Sequence, residues 1–294
     1  MPGPGTAPTL SRLLLGTWRA DRWGMDAAAL RGFIEAAAGL GVTTVDTADI
    51  YCGYGCEALL GAALGPSPGL RARLQLVTKA GIRVPCAAQP GVRVKHYDTS
   101  RAYLVGQVER ALAALRTDRV EVLLVHRPDP LLDADEVAAA FDDLRRRGLV
   151  LAFGVSNFTP AQLELLQSRL PFPLVTNQVE CSLAHLAPLL DGTLDQCQRL
   201  RLPVQAWSPL GGGRLLQEGG ALGARLQETG AELGGAAPDQ VALAWLLRHP
   251  ARIHPVLGTG RLDRLRGAVG ALALPLDRQQ WFRLLEAAQG REVP

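Results

Sequence analysis

Hydrophobic residues in this chain fall into short β-branched or leucine-rich runs that alternate with longer stretches of helical periodicity. In the run 42–46, Val and Thr residues suit a buried strand that Asp46 closes, and the turn-forming segment 52–55 follows Tyr51. Further runs have the same character. The predicted strands are 12–18, 42–46, 74–79, 120–126, 149–155, 174–179, 204–207 and 253–257.

Helices are predicted between these strands, because Asp, Thr, Ser or Pro residues open the periodic stretches and Gly residues close several of them. Gly148, for example, is expected to cap the helix before the fifth strand. The segment 82–98 is a longer polar excursion without a predicted element. The predicted helices are 26–40, 57–64, 99 or 100 to 115, 133–147, 160–168, 188–200, 221–233, 238–248, 261–271 and 277–288.

This alternation of strands and helices predicts an α/β protein, a single (β/α)8 TIM barrel with a C-terminal helix. The 294 residues exceed the roughly 250 that such a barrel needs. No Pro/Gly/Ser linker divides the chain, so one domain over 1–294 is expected. The alternative is a doubly wound sheet, but its Gly-x-Gly-x-x-Gly signature is missing from the first strand-to-helix turn.

Composition narrows the classes of partner. Hydrophobic residues make up 48% of the chain, and 31 basic against 28 acidic residues give a net charge of +3 without a dense basic segment. Nucleic acid and membrane surfaces are therefore not expected partners. The first 20 residues do not form a secretory signal, and no run approaches the length of a transmembrane helix. A soluble, cytoplasmic protein is expected.

The cysteines form an odd, scattered set with no CxxC pair, which is typical of reduced thiols in a cytoplasm. Two of them, Cys52 and Cys56, could in principle ligate a metal, but no second Cys or His cluster completes a site, so no metal is expected. The five cysteines are Cys52, Cys56, Cys86, Cys181 and Cys197.

Polar or aromatic side chains recur at the carboxyl ends of the predicted strands. Because these ends open on one face of a barrel, residues distant in sequence meet there. Alone, His126 could be a hydrogen-bonded core histidine and Gln178 an ordinary turn residue, but their recurrence predicts a functional site. The residues in this position are Asp46, Lys79, His126, Asn157, Gln178 and Trp207.

The motifs DTADIY, VTKAG and LLVHRPDP, which contain Asp46, Tyr51, Lys79 and His126, resemble the catalytic tetrad of the aldo-keto reductases. The resemblance continues in GVSNFTPAQ, TNQVE, AWSPLGGGRL and GTGRLDRLR, and so covers nearly the whole chain. The segment HRPDPLLDADEVA and the pair Trp281-Phe282 are similar to one bacterial group of this family. The resemblance implies an NAD(P)H-dependent oxidoreductase that reduces an aldehyde or ketone to an alcohol.

The tetrad can be interpreted from its chemistry. A carbonyl that accepts hydride develops negative charge on oxygen and needs a proton donor, for which Tyr51 is the candidate. A neighbouring Lys79 ammonium is expected to lower the pKa of the phenol, and Asp46 to keep Lys79 charged and oriented. His126 can donate a hydrogen bond to the carbonyl or relay a proton.

The resemblance also implies the cofactor, NADPH with NADH less likely. Ser156, Asn157 and Gln178 match residues that bind the carboxamide, and Trp207 matches an aromatic that stacks on the nicotinamide. The segment 208–214 resembles the pyrophosphate loop, although three successive glycines alone also suit a flexible turn. The remaining residues assigned to the cofactor are Gly16, Thr17, Trp18, Asp46, Ser208, Pro209, Leu210, Gly212, Gly213, Arg214, Gly258, Thr259, Gly260, Arg261 and Arg264.

Arg261 and Arg264 follow the segment 258–260 at a helix start, where they could reach an adenosine 2′-phosphate. The alternative for Arg264 is a solvated helix arginine. The chain departs from the family pattern here, because Gly258 stands where many relatives carry Lys and Gly267-Ala268 replaces an adenine-contacting Glu-Asn pair. A preference for NADP is thus expected, with a weaker affinity for the cofactor than in relatives that keep those residues.

The substrate is expected to be a small carbonyl compound, and the residues assigned to it are Trp18, Tyr51, Tyr54 and His126. Trp18, Arg19, Trp23, Tyr54 and His96 lie on loops that could line the pocket, although each suits a surface or packing position equally well. Substrate identity, reaction direction, oligomeric state beyond a monomer or weak homo-oligomer, and the roles of 82–98 and 209–220 stay open. A competing hypothesis is a nicotinamide-sensing regulatory protein with little turnover. A metal-assisted hydrolase lacks the necessary ligand cluster.

Overall fold

The structure, a computed structural model, describes residues 8–217 and 220–294. The barrel strands are β1 (Leu14–Gly16), β2 (Thr44–Asp46), β3 (Gln75–Ala80), β6 (Val120–Val125), β7 (Val150–Ser156), β8 (Asn177–Glu180), β9 (Val204–Trp207) and β10 (His254–Leu257). They form a closed parallel barrel in the order β1, β10, β9, β8, β7, β6, β3, β2, which confirms the predicted (β/α)8 fold. Two short strands, β4 (Ile82–Arg83) and β5 (His96–Tyr97), pair antiparallel within the excursion after β3.

The helices begin close to the predicted positions, because their capping residues are present and bonded. Asp26 accepts from Ala29 N, and Thr159 and Asp277 form capping boxes. The helices are α1 (Ala27–Gly39), α2 (Cys56–Leu64), α3 (Pro68–Arg73), α4 (Arg101–Leu115), α5 (Ala134–Arg146), α6 (Pro160–Gln167), α7 (Ala187–Leu190), α8 (Thr193–Arg199), α9 (Gly220–Glu232), α10 (Pro238–Leu247), α11 (Leu262–Gly270) and α12 (Arg278–Gln289).

Two predicted elements differ from the structure, and one further helix was not predicted. The helix predicted over 188–200 is broken into α7 and α8 by Gly192, whose φ of 85° is left-handed. Helix α3 was not predicted; Pro68 occupies its first turn, where the missing N–H costs no bond. The strand predicted from 174 begins at Asn177, although Val175 N already donates to Phe153 O.

The chain comprises two compact units, residues up to Asn177 and residues from Gln178 onward. In the first, β3, β6 and β7 pack Val77, Val122, Leu124 and Ala152 into one buried cluster. Helices α2 and α4 approach so closely that a Cβ at Gly61 would lie 1.9 Å from Ala114 O. This contact fixes α2 and the turn before it. That one domain spans 1–294 stays a prediction.

In the second unit, β9 and β10 pair with Gln205 beside His254. The indoles of Trp245 and Trp281 stack with centroids 4.9 Å apart, and each indole N–H donates to the other residue's carbonyl oxygen. The C-terminal helix α12 is thereby held against α10. The predicted C-terminal helix is thus present and packed.

Candidate active site

Lys79 lies at the centre of the site in the first unit. It sits near the end of β3, beside β2, and is 1% exposed. Its Nζ donates to Asp46 Oδ2 at 2.8 Å, to Thr47 O at 2.8 Å and to Tyr51 Oη at 3.0 Å. An ammonium has three N–H donors and no lone pair. All three N–H donors of Lys79 are therefore used, and Tyr51 Oη is the acceptor in the Lys79–Tyr51 hydrogen bond.

The charge of Lys79 depends on this neighbourhood. Burial lowers the pKa of Lys79, but the negative charge of Asp46 and the contacts with Tyr51 raise it, and the net pKa lies above its ordinary value. Lys79 is therefore an ammonium at neutral pH. The ion pair with Asp46 is almost completely buried, with side-chain exposures of 0% and 3%. Removing either partner would leave an uncompensated charge in the interior.

Tyr51 is the candidate proton donor, and its pKa differs from the expectation. Burial raises the pKa of Tyr51 above 10, while the charge of Lys79, 4.7 Å from the ring centroid, acts in the opposite direction. Lys79 does lower the pKa of the phenol, as predicted. The net pKa is nevertheless raised, because the effect of burial is larger. The phenol is neutral at physiological pH and carries a proton to donate.

His126 follows β6 directly and faces Tyr51. The two rings lie 5.9 Å apart at an interplanar angle of 74°, and His126 N donates to Ala80 O at 2.8 Å. Burial and the charges of Lys79, Arg127 and Lys95 hold the pKa of His126 well below its usual range. The imidazole is therefore neutral, with one nitrogen as donor and one as acceptor. Its buried Nδ1 has no hydrogen-bond partner among residues 8–217 and 220–294.

Ser156 and Asn157 leave β7 on the same side as His126. Asn157 has a φ of 62°, a conformation that Asn tolerates better than most residues. Its Nδ2 donates to Ser156 Oγ at 2.7 Å and reaches His126 O at 3.5 Å. These polar side chains thus adjoin the tetrad.

The other predicted residues of the first unit have mixed surroundings. Thr17 is fully buried, and both its N and its Oγ1 donate to Asp46 O at 2.9 Å. Trp18, two residues after Gly16, is 58% exposed, and the Arg19 guanidinium lies 4.6 Å from the centroid of its ring. Tyr54 Oη accepts from Val84 N at 3.0 Å. Thr17 therefore supports the end of β2, while Trp18 is largely exposed with the Arg19 guanidinium over its ring.

In the second unit, the predicted pyrophosphate loop has an unusual backbone. Ser208 has a φ of 49°, and Gly211, Gly212 and Gly213 all have positive φ. A Cβ at Gly212 or Gly213 would meet no atom within 4 Å. The loop, which includes Pro209, Leu210 and Arg214, thus presents backbone to open space, as close approach to a phosphate requires.

In this unit, Trp207 is the last residue of β9, as predicted, whereas Gln178 is the second residue of β8 and not its carboxyl end. Gln178 Nε2 donates to Gln205 Oε1 at 2.6 Å, which orients its amide. Trp207 is partly buried.

The two candidate phosphate-binding arginines are not equivalent. Thr259, between Gly258 and Gly260, accepts from Arg261 N at 3.1 Å. The Arg261 guanidinium binds both carboxylate oxygens of Asp263, at 3.1 and 2.6 Å, and lowers the pKa of Asp263 to about 2. Arg264 is exposed and makes no side-chain hydrogen bond or ion pair within the described chain. Arg264 is thus the arginine available to a ligand.

Sequence reasoning missed a pair of buried acids beside Lys79. Asp49 and Glu57 are 6% and 7% exposed, and burial raises the pKa of each to about 7. Gln107 Nε2 donates to Asp49 at 2.8 Å, and Thr78 Oγ1 donates to Glu57 at 2.6 Å. The signal in the sequence was a second acid three residues after Asp46 within DTADIY.

In the part of the chain that the structure describes, no group of three or more His, Cys, Asp and Glu side chains is arranged to hold a metal ion. All five cysteines are free thiols. No helix of the described ranges is long and apolar enough to cross a bilayer.

The fold and the site together define a class of protein. Residues 12–289 match the model of the aldo/keto reductase family, and the chain belongs to this family. The resemblance of the sequence motifs is thereby confirmed.

Individual relatives agree with this assignment. The chain is 51% identical to oxidoreductase YdhF of Escherichia coli K12, over 98% of this chain and 96% of that protein. It is 48% identical to a 6-dehydroglucose reductase of Agrobacterium fabrum, over 97% and 96%. A solved structure of an aldo/keto reductase from Klebsiella pneumoniae with NADP and acetate is similar with a TM-score of 0.75 and 26% identity, covering 94% of this chain and 90% of that one.

These relatives settle the reaction class. The protein is an oxidoreductase of the carbonyl-reducing type that uses a nicotinamide cofactor, as predicted. No finding favours the alternative of a nicotinamide-sensing regulator.

Proposed function

We propose that this protein reduces an aldehyde or ketone with NADPH, with Tyr51 as the proton donor and Asp46, Lys79 and His126 as its supporting residues. The observation that carries this proposal is the threefold bonding of Lys79 Nζ, which places a buried cation 3.0 Å from the phenol oxygen. Because Tyr51 Oη accepts from Lys79, its own hydrogen is directed elsewhere and can bond a carbonyl oxygen.

The chain's residues act at the oxygen of the substrate. As that oxygen gains negative charge, Tyr51 transfers its proton, and the phenolate that remains is stabilised by the adjacent ammonium of Lys79. Asp46 keeps Lys79 charged and in place. The neutral His126 donates a hydrogen bond that orients the carbonyl. When bound, a reduced nicotinamide supplies the hydride, which no protein side chain can provide.

The residues present suit such a cofactor. Ser156 and Asn157 in the first unit and Gln178 in the second offer amide and hydroxyl groups for the carboxamide, and Trp207 offers a ring for the nicotinamide. The open backbone of the 208–214 loop supports its assignment to the pyrophosphate. Of the N-terminal residues, we assign Gly16 and Trp18 to the cofactor, while the bonds of Thr17 argue for a structural contribution.

NADPH is preferred over NADH in this proposal because of Arg264. An exposed guanidinium at the start of α11 suits bidentate binding of a 2′-phosphate. The relative solved with NADP supports the same choice. Arg261, held by Asp263, contributes less. The free thiols support the predicted cytoplasmic location.

The name of the Agrobacterium fabrum relative suggests a sugar with an oxidised carbon as substrate. Tyr51, His126, Trp18 and Tyr54 are the residues we assign to it. A partly aromatic rim suits the apolar face of a sugar ring while the tetrad binds the carbonyl.

A screen of the purified protein tests the proposal. NADPH oxidation at 340 nm is followed with aldehydes, ketones and oxidised sugars, 6-dehydroglucose among them. We expect turnover with at least one class and a higher kcat/KM with NADPH than with NADH. Tight NADPH binding without turnover of any carbonyl would contradict the proposal and favour a sensing role.

A further inference from the structure

We infer that Asp49 is a positioning residue for Tyr51, and that it acts through a hydrogen bond from Gln107 of α4. This inference rests on the proposed role of Tyr51 as the proton donor. Asp49 and Gln107 lie outside the tetrad and fix the position of the Tyr51 phenol.

The turn that carries Tyr51 needs external support. Cys52, Gly53 and Tyr54, directly after Tyr51, all have left-handed φ, of 52°, 62° and 71°. Two of these residues carry side chains, and such a conformation persists only where surrounding contacts impose it. The position of Tyr51 is therefore set by the bonds that hold the turn.

Asp49 supplies several of these bonds. Its backbone N donates to Lys79 O at 3.1 Å, which ties the turn to β3. Its Oδ1 accepts from Ile50 N at 2.7 Å, directly before Tyr51. Its Oδ2 accepts from Gln107 Nε2 at 2.8 Å. Both carboxylate oxygens are thus occupied, one by the turn itself and one by a helix.

The amide of Gln107 has a fixed orientation. Arg110 Nε can only donate, and it donates to Gln107 Oε1. Gln107 Nε2 therefore faces Asp49 and also donates to Tyr103 Oη at 3.0 Å. Gln107 is 5% exposed and lies in the middle of α4. The turn is thus anchored on a rigid helix through a bond of defined polarity.

Glu57 offers a matched comparison. It is buried to the same degree as Asp49, has a similarly raised pKa, and lies near the same Lys79. Its side chain bonds to Thr78 Oγ1 in β3 rather than to the turn. A change at Glu57 therefore alters buried charge near Lys79 without removing a bond of the turn.

The polarity of the Gln107–Asp49 bond permits a rescue test. In Asp49→Asn, the amide oxygen still accepts from Ile50 N. The amide N–H groups then face Gln107 Nε2, so that two donors oppose each other. In Gln107→Glu, two acids face each other. The double variant restores a donor–acceptor pair in the reverse direction and keeps an acceptor for Arg110. Glu57→Gln serves as the control.

Each variant is assayed for kcat with a carbonyl that the wild type reduces, and for the NADPH dissociation constant. Asp49→Asn and Gln107→Glu are expected to lower kcat on the order of tenfold, because a misplaced proton donor slows the chemical step. NADPH affinity should stay within about twofold, because the loop 208–214 is untouched. The double variant should recover most of kcat, and Glu57→Gln should retain it.

Amide hydrogen exchange over residues 47–55 provides a readout that does not depend on activity. Exchange should be faster in both single variants and return to the wild-type rate in the double variant. Unchanged kcat in Asp49→Asn, no recovery in the double variant, or an equal loss in Glu57→Gln would overturn the inference. If the wild type reduces no carbonyl, the proposed function fails, and the exchange pattern alone then supports or overturns the positioning by Asp49.

Discussion

Lys79 Nζ lies 2.8 Å from Asp46 Oδ2, although 33 residues separate the two in sequence. The pairing follows from the barrel, since Asp46 ends β2 and Lys79 lies near the end of the adjacent β3. The same Nζ reaches Tyr51 Oη at 3.0 Å. A buried ion pair thus sets the electrostatic surroundings of the phenol, and the stability of the fold depends on the same groups as the chemistry.

Lys79→Met is expected to destabilise the protein by about 3–5 kcal/mol, because Asp46 is left as an unpaired buried charge. Adding Asp46→Asn removes that charge and should return part of the stability, while turnover stays lost in both proteins. Urea unfolding followed by circular dichroism measures the effect. A Lys79→Met protein as stable as the wild type, or a double variant no more stable than the single one, would argue against a buried ion pair.

The raised pKa of Glu57 predicts a specific dependence of the free energy of unfolding on pH. Its pKa is about 7 in the folded protein against an ordinary value of 4.5. Since the folded-state pKa is raised, its contribution to stability is present below about pH 4.5 and is lost as pH rises through 7. At about 1.4 kcal/mol per pKa unit, the loss amounts to about 3 kcal/mol.

Glu57→Gln keeps an acceptor for Thr78 and removes the titration. Its free energy of unfolding, relative to wild type, should therefore rise by up to about 3 kcal/mol between pH 4 and pH 8. Glu35→Gln, at an exposed position of α1, is measured alongside as the control for the loss of one acidic side chain. A difference between Glu57→Gln and wild type that is constant across this range would show that Glu57 does not titrate near neutrality.

Much of the fold could be predicted from the sequence, because the signals are local. Capping residues such as Asp26 and Asp277, and β-branched runs such as 42–46, act within a few residues of themselves. The break between α7 and α8 could not be predicted with the same certainty, since a glycine such as Gly192 is compatible with a helix or a break. Tertiary packing makes that choice.

The candidate site shows a similar division. Asp46, Lys79 and His126 were predicted because they close predicted strands and match family motifs, and Tyr51 because it stands in the motif DTADIY. The net pKa of Tyr51 was not, because it depends on how much of the phenol is buried, which no motif encodes. Asp49 and Gln107 were missed because their bond joins a turn to the middle of a helix 58 residues away.

Arg264→Ala tests the choice of cofactor. If Arg264 binds the 2′-phosphate, NADPH binding should weaken by about 1.5–3 kcal/mol, the range for hydrogen bonds to charged groups. This corresponds to roughly 10- to 150-fold in Kd. NADH binding should barely change. Quenching of tryptophan fluorescence by each cofactor gives both dissociation constants.

Two further variants act as controls for Arg264. Arg266→Ala removes an exposed arginine from the same helix and should affect neither cofactor. Arg261→Ala should cost less NADPH affinity than Arg264→Ala, because Asp263 already binds that guanidinium. An equal loss of NADPH and NADH in Arg264→Ala would mean that Arg264 supports the helix rather than selecting the phosphate.

The most direct test of the central claim is the single-turnover rate of NADPH oxidation by a saturating carbonyl substrate in Tyr51→Phe. Removing only the proton donor should slow this step by on the order of 10²–10⁴, while the Kd for NADPH stays within about twofold. Tyr97→Phe, which removes a phenol hydroxyl from β5, should react at the wild-type rate. A Tyr51→Phe protein that transfers hydride as fast as the wild type would contradict the account, because Tyr51 would then not be the acid.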